Sequence, residues 1–163
     1  MPGNPKFFNR NKWYYNIEIE PGVFTPGSDR PSLALIRKLL RNVDVRDKDC
    51  MDIGTMEGVI PILLKRGGAK SVVAYDRFIE SPRWMPDIKR VHDVDFEFVG
   101  GLRLEDLGAR LDEKMGNHFF DLVVFSGVLY HLINPHGVFG VGEIAVQNWR
   151  AVPVRDQGTT RPA

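Results

Sequence analysis

Cysteine is nearly absent from this chain. Cys50 is the one thiol in 163 residues, so no disulfide within the chain can staple the fold, and a reducing compartment is its natural setting. Histidine is almost as scarce. His92, His118, His131 and His136 are scattered and, with a single cysteine, offer no metal-ligand spacing, so no metal site is expected. An excess of either charge is missing too, since 22 Lys and Arg stand against 21 Asp and Glu, and such a balance creates no field that demands nucleic acid or an anionic membrane. No window approaches the ~18 apolar residues of a membrane-spanning helix, and Phe7-Phe8 is too short for the apolar part of a signal peptide. No membrane association is expected, and the cytoplasm is the expected location. Neither a Gly-x-Ser-x-Gly elbow nor a Ser/His/Asp order occurs, which argues against serine hydrolase chemistry. What is present is a globular composition, 43% hydrophobic and 26% charged, in a chain long enough to bury a real core.

The punctuation divides the chain into a lead-in arm (1–30), a main domain (31–141) and an irregular tail (142–163). Prolines 2, 5, 21 and 26 exclude long helices from the arm, while Trp13 to Ile19 offers aromatic and β-branched positions. Pro31 suits a first helical turn, and Leu33, Ile36, Leu40 and Val43 recur at helical spacing, which predicts an amphipathic helix. From there short apolar runs alternate with helical stretches. Strands are expected at 50–53, 71–76, 96–99 and 120–125, with a helical stretch after Gly54 to about Arg66 and helices from about Trp84 to Val91 and near Leu104 to Lys114. Apolar strands alternating with helices predict a mostly parallel sheet covered on both faces, the doubly wound α/β class. The tail, with two prolines and no period, is expected to be loosely held.

In such sheets ligands bind beyond the carboxyl ends of the strands, so the residues after each apolar run carry the chemistry. The first such turn is Asp52-Ile53-Gly54-Thr55-Met56-Glu57-Gly58. Gly54 fits a dinucleotide turn, but Met56 and Val59 stand where the second and third glycines belong. A side chain at the second position obstructs a pyrophosphate, so the turn favours an adenosine-type ligand over NAD, and it has no P-loop lysine. Asp76 ends the second strand, where a carboxylate accepts hydrogen bonds from both ribose hydroxyls. Asp52 should face the same crevice, where it either holds the turn or meets a ligand ammonium through water. His131 follows the last predicted strand and could accept a proton from a reacting group, or simply shape the turn by a hydrogen bond. Basic pairs such as Arg37-Lys38 and Lys89-Arg90 alternate with acids and read as solvated faces, so RNA contact is possible but not favoured.

The segments Asp52 to Gly58, Val73 to Asp76 and Phe120 to Leu132 resemble motif I, the ribose acid and motif IV of class I S-adenosylmethionine-dependent methyltransferases. Ser126-Gly-Val-Leu-Tyr-His131 resembles in particular the branch that includes tRNA wobble-uridine carboxymethyltransferases. The resemblance implies a Rossmann-like fold with S-adenosyl-L-methionine as cofactor. It implies that Gly54, Thr55 and Gly58 wrap the methionine and ribose, and that Asp76 binds the ribose. Gly101 and Leu102 stand where the family usually places an adenine-binding acid, the nearest acids being Glu105 and Asp106. Met56, Arg77, Ser126, Gly127 and Asp52 complete the expected cofactor set. Methyl transfer from a sulfonium needs a nucleophile held in line at near-attack distance. Tyr130 and His131 are the expected catalytic residues, and Tyr130, Tyr14 and Trp13 are candidate aromatic neighbours of the sulfonium, the two arm residues fitting equally well as packing over the sheet edge.

The expected activity is methylation of a small-molecule or unassigned acceptor. Two alternatives stand beside it: an inactive cofactor-binding domain acting through a partner, and a tRNA uridine-modifying enzyme. A nucleotide-binding oxidoreductase is disfavoured by Met56 and Val59. Only four strands precede position 126, where the full fold has seven, so the last strands of the fold are expected to be missing. A strand edge left open in this way predicts a homodimer through that edge.

Overall fold

The computed structural model describes residues 13–80, 82–116 and 119–128. In chain order these form β1 (Glu18–Glu20), β2 (Val23–Phe24), α1 (Pro31–Leu40), β3 (Asp49–Ile53), α2 (Val59–Arg66), β4 (Ser71–Asp76), α3 (Met85–His92), β5 (Glu97–Gly100), a 3₁₀ turn (Leu104–Asp106), α4 (Leu107–Met115) and β6 (Leu122–Phe125). Strands β3 to β6 make one parallel sheet in the order β5-β4-β3-β6, and β1 and β2 pair antiparallel in the arm. The chain is therefore a doubly wound α/β protein with a parallel sheet between helical layers. From β3 it winds outward to β4 and β5, then crosses back to β6 on the other side. That reversal is a topological switch point, and a crevice opens there beyond the carboxyl ends of β3 and β6.

Both faces of the sheet are apolar, which is why its strands read as continuous runs. Cys50, Val72, Ala74 and Val124 face the layer built by the arm, α1, α2 and α3. Met51, Ile53, Val73, Tyr75, Val123 and Phe125 face Leu104, Leu107 and Leu111 on the opposite side. Burial pushes the Cys50 thiol pKa up to about 12, so it is a packing group rather than a nucleophile.

Element boundaries differ from expectation in two places that matter. Helix α1 buries Leu33 and Ile36 as predicted but stops at Leu40, and Val43 lies beyond it, 39% exposed. The backbone tightens there through Asn42 N–H to Leu39 C=O and Val43 N–H to Leu40 C=O, bonds of 3₁₀ type that swing Val43 outward. Helix α2 begins at Val59 rather than directly after Gly54, because Met56 and Gly58, like Gly54, hold positive φ (51°, 85° and 86°) that an α-helix cannot use. The tail from 142 and the residues Tyr130 and His131 lie outside the described residues. Among the described residues β6 pairs with β3 on one side alone.

Candidate cofactor site at the switch point

A cavity of about 310 Å³ occupies the crevice. Gly54 and Met56 of the turn after β3, Tyr75 to Phe78 at the end of β4, and Ser126 to Val128 after β6 form its base. Leu104 and Glu105 close one side, and Tyr14, Tyr15 and Ser32 close the other. The turn is pinned to β4, since the N–H groups of Gly54 and Thr55 both donate to the Tyr75 carbonyl, at 2.8 and 3.0 Å. A side chain at Gly54 would come within 2.3 Å of Val128 Cγ2, so only glycine lets the turn pass β6. Met56 adopts a left-handed backbone that costs a non-glycine residue ~1–2 kcal/mol, and its half-buried side chain faces the cavity. Met56 thus puts a side chain at the turn position where a dinucleotide-binding turn carries its second glycine.

Asp76 is 3% exposed and lies in the cavity wall. Its Oδ2 accepts the Met56 N–H at 3.0 Å and its Oδ1 accepts the Phe78 N–H at 2.9 Å. A carboxylate has about four acceptor sites, so the group that ties the turn to β4 keeps capacity for a pair of ligand hydroxyls. Phe78 stands at the rim, 87% exposed, with the Arg77 guanidinium 5.6 Å from its ring centre. A ring so exposed at the cavity rim offers a face for stacking.

Not every predicted site residue meets in this cavity. Asp52, expected to face the crevice, is wholly buried and absent from the cavity wall. The pleat explains this: Met51 and Ile53 face one layer, so Asp52 follows Cys50 toward the other, beneath the arm. Neither of its carboxyl oxygens has a hydrogen-bond partner among the described residues. Burial, reinforced by the nearby Asp76, pushes its pKa up to about 7. The Thr55 hydroxyl lies close enough to offset part of that rise, yet outside hydrogen-bond geometry, and it too is buried and unpartnered. Tyr15 lies close enough for Asp52, after burial itself, to raise its phenol pKa. Gly58 caps α2 under Met85 and Phe96 and does not reach the cavity. Gly101 packs on Glu80, and Leu102 offers its carbonyl to the Tyr75 hydroxyl at 2.8 Å; Leu104 and Glu105 stand in the wall instead.

The arm is the largest contribution that the sequence pattern did not reveal. Glu57, 4% exposed, accepts the Tyr14 N–H at 2.7 Å and the Tyr15 N–H at 3.2 Å, which places both rings in the cavity wall. Arg30 stacks its guanidinium 3.7 Å from the Tyr14 ring centre. An acid in a glycine turn carries no signal for partners 42 and 43 residues earlier. A larger groove of about 920 Å³ lies among the arm, α1, α2 and α3, and no switch-point residue lines it.

A family model described as a methyltransferase domain matches residues 28–140, more than half of the chain. The chain is 29% identical over 133 residues to a ribosomal protein L11 methyltransferase of Pasteurella multocida, covering 79% of this chain and 45% of that one. It is 27% identical over 101 residues to a Methanocaldococcus jannaschii chain assigned provisionally as a protein N5-glutamine methyltransferase, covering 62% and 49%. The chain thus spans about half the length of these two relatives or less. Among solved structures it resembles the N-terminal domain of EvdMO1, determined in the presence of SAH and D-fucose, with a TM-score of 0.53, 22% identity, and 78% of this chain on 52% of that one.

Proposed function

Since the chain belongs to the methyltransferase-domain family, we propose that it binds S-adenosyl-L-methionine in the switch-point cavity and transfers the methyl group to an acceptor. The observation that carries this reading is Asp76, buried in the wall with both oxygens bonded to main-chain N–H groups and acceptor sites to spare. S-adenosylmethionine, when bound, supplies an electrophilic methyl group on a sulfonium.

This chain's residues do the binding and orienting. Asp76 takes the ribose diol, and Phe78 and Leu104 offer apolar faces to the purine. Glu105, with Arg77 across the cavity, is the polar group nearest the place where the family pattern expects an adenine acid. Tyr14 and Tyr15 bring aromatic surface to the cavity wall, where contact with a sulfonium is worth ~0.5–2 kcal/mol. A cavity of about 310 Å³ is at the small end for ligand pockets, in keeping with one nucleoside-sized ligand. The resemblance of Ser126 to His131 to the wobble-uridine branch supports His131 as the base that takes a proton from the acceptor, with Tyr130 beside it. The acceptor itself is open between a small molecule and a larger substrate.

Isothermal calorimetry with S-adenosylmethionine, S-adenosylhomocysteine and NAD tests the reading. Binding of both adenosyl ligands without binding of NAD is the expected result, and heat from neither adenosyl ligand would sink it. Binding with no methyl release to any acceptor in a panel would instead favour a cofactor-binding domain that works through a partner.

A further inference from the structure

Glu57 is an acid with nowhere obvious to be. It sits in the glycine turn between Met56, which lines the cavity, and Gly58, which caps α2, and it is almost shut off from solvent. Burial raises its pKa, and the hydrogen bonds from the arm act against that rise. Its two oxygens are spent on two successive main-chain N–H groups, those of Tyr14 and Tyr15, reached from the far side of the sequence. Hydrogen bonds to an ionised acceptor are the strong kind. Among the described residues no other side chain receives those amides; the rest of the arm is held by Thr25 Oγ1 bridging Tyr15 C=O and Ile17 N–H, by Arg30 on the Tyr14 ring, by Trp13 edge-on to Trp84, and by Ile17 and Ile19 packed into the core.

The turn and the arm therefore share one joint, and both sides of that joint line the cavity. Met56 connects the joint onward, because its N–H is held by Asp76, the proposed ribose ligand. We propose that Glu57 is a positioning residue that latches the arm to the cofactor turn, so that arm docking and cofactor binding form one coupled equilibrium. The inference rests on the cofactor reading above. It adds that the arm is a wall of the site whose docking ligand binding strengthens, and that an acid outside the cavity sets the affinity inside it. Coupling of this kind is reciprocal: whatever the docked arm contributes to ligand affinity, bound ligand contributes to arm docking.

Amide hydrogen exchange on the unsubstituted full chain reads the coupling directly. S-adenosylhomocysteine should slow exchange of the Tyr14 and Tyr15 amides together by about tenfold or more, whereas indifference of both amides to bound ligand overturns the proposal. Glu57→Gln keeps the shape of the side chain but turns an NH₂ toward one of the two donors. It should speed exchange at both amides and weaken S-adenosylhomocysteine binding by about tenfold. Leu111→Ala, on the opposite face of the sheet, controls for general loosening, since it should lower the melting temperature while the two amides keep their response to ligand. A folded Glu57→Gln chain with unchanged affinity overturns the latch. No binding by the unsubstituted chain overturns the cofactor reading and the coupling with it, and that failure is told apart because Glu57→Gln would still free the arm amides.

Discussion

Asp76 holds the turn and faces the cavity at once, and a substitution separates the two roles. Asp76→Asn keeps one acceptor oxygen for a main-chain N–H but sets an NH₂ against the other and removes the charge. Affinity for S-adenosylhomocysteine should fall about 10- to 100-fold by calorimetry, with a melting temperature lower by several degrees. Phe78 gives the opposite split. At 87% exposure it contributes almost nothing to the core, so Phe78→Ala should leave stability within about 0.5 kcal/mol while weakening ligand binding severalfold. Equal affinity in the two chains would remove Phe78 from the site. The sequence made Gly54, Asp76 and the segment after β6 legible, because turn glycines and a strand-terminal acid follow from backbone geometry. Phe78 and Glu57 were silent in it: a lone exposed phenylalanine has no period, and the partners of Glu57 are distant in the chain. Asp52 lies on the other face from the crevice, which residue type alone does not reveal, since it does not say which face of the pleat a strand-end acid takes.

At the scale of elements, the arm shows how little regular structure is needed to build a wall. Its β1–β2 ribbon is short, and Thr25 does much of the fastening: the hydroxyl donates to Tyr15 C=O and accepts from Ile17 N–H, both at 2.9 Å, with the residue 1% exposed. Thr25→Val preserves the volume and leaves both main-chain groups buried without that partner. It should cost about 1–3 kcal/mol in urea unfolding, and a change below about 0.3 kcal/mol would show that the arm is held from elsewhere. The arm's aromatic and β-branched pattern pointed to β-like structure, but not to its seat on the turn, which depends on contacts across the fold. The main strands were legible for the converse reason. A strand buried on both faces is mostly apolar, and β6 is so throughout, while β3 and β4 are so apart from Asp52 and the residues at their ends. The start of α2 was blurred because Thr55 to Gly58 reads as helix by composition, while the left-handed residues that break it are visible only in the backbone.

For the molecule as a whole, alternation in the sequence specified a parallel sheet, and the reversal at β3 and β6 placed the crevice; what the pattern could not show is that the layer beneath the crevice holds ionisable groups at a cost. Asp52, with its pKa raised from 3.8 to about 7 by burial, is the clearest. Between those values the folded chain keeps a proton that the unfolded chain has lost, so stability falls as pH rises. The contribution is fully present below about pH 4 and gone above about pH 7, at up to ~1.4 kcal/mol per pH unit within the window. Glu57, also raised by burial, acts in the same direction. Half-buried His92 acts against both, because burial and Arg66 lower its pKa and stability then rises with pH through the lower part of its titration. Asp44 and Glu105 have lowered pKa values but are fully exposed, and surface pairs of this kind count for little. Asp52→Asn isolates the one group, since His92 and Glu57 titrate in both chains. Urea unfolding at intervals from pH 4.5 to 8 should show the unsubstituted chain losing stability relative to Asp52→Asn by a few kcal/mol, with the loss complete near pH 7. A pH-independent difference between the two chains would mean that Asp52 ionises in the folded state as freely as in the unfolded one, and that its burial beneath the arm is relieved by hydration.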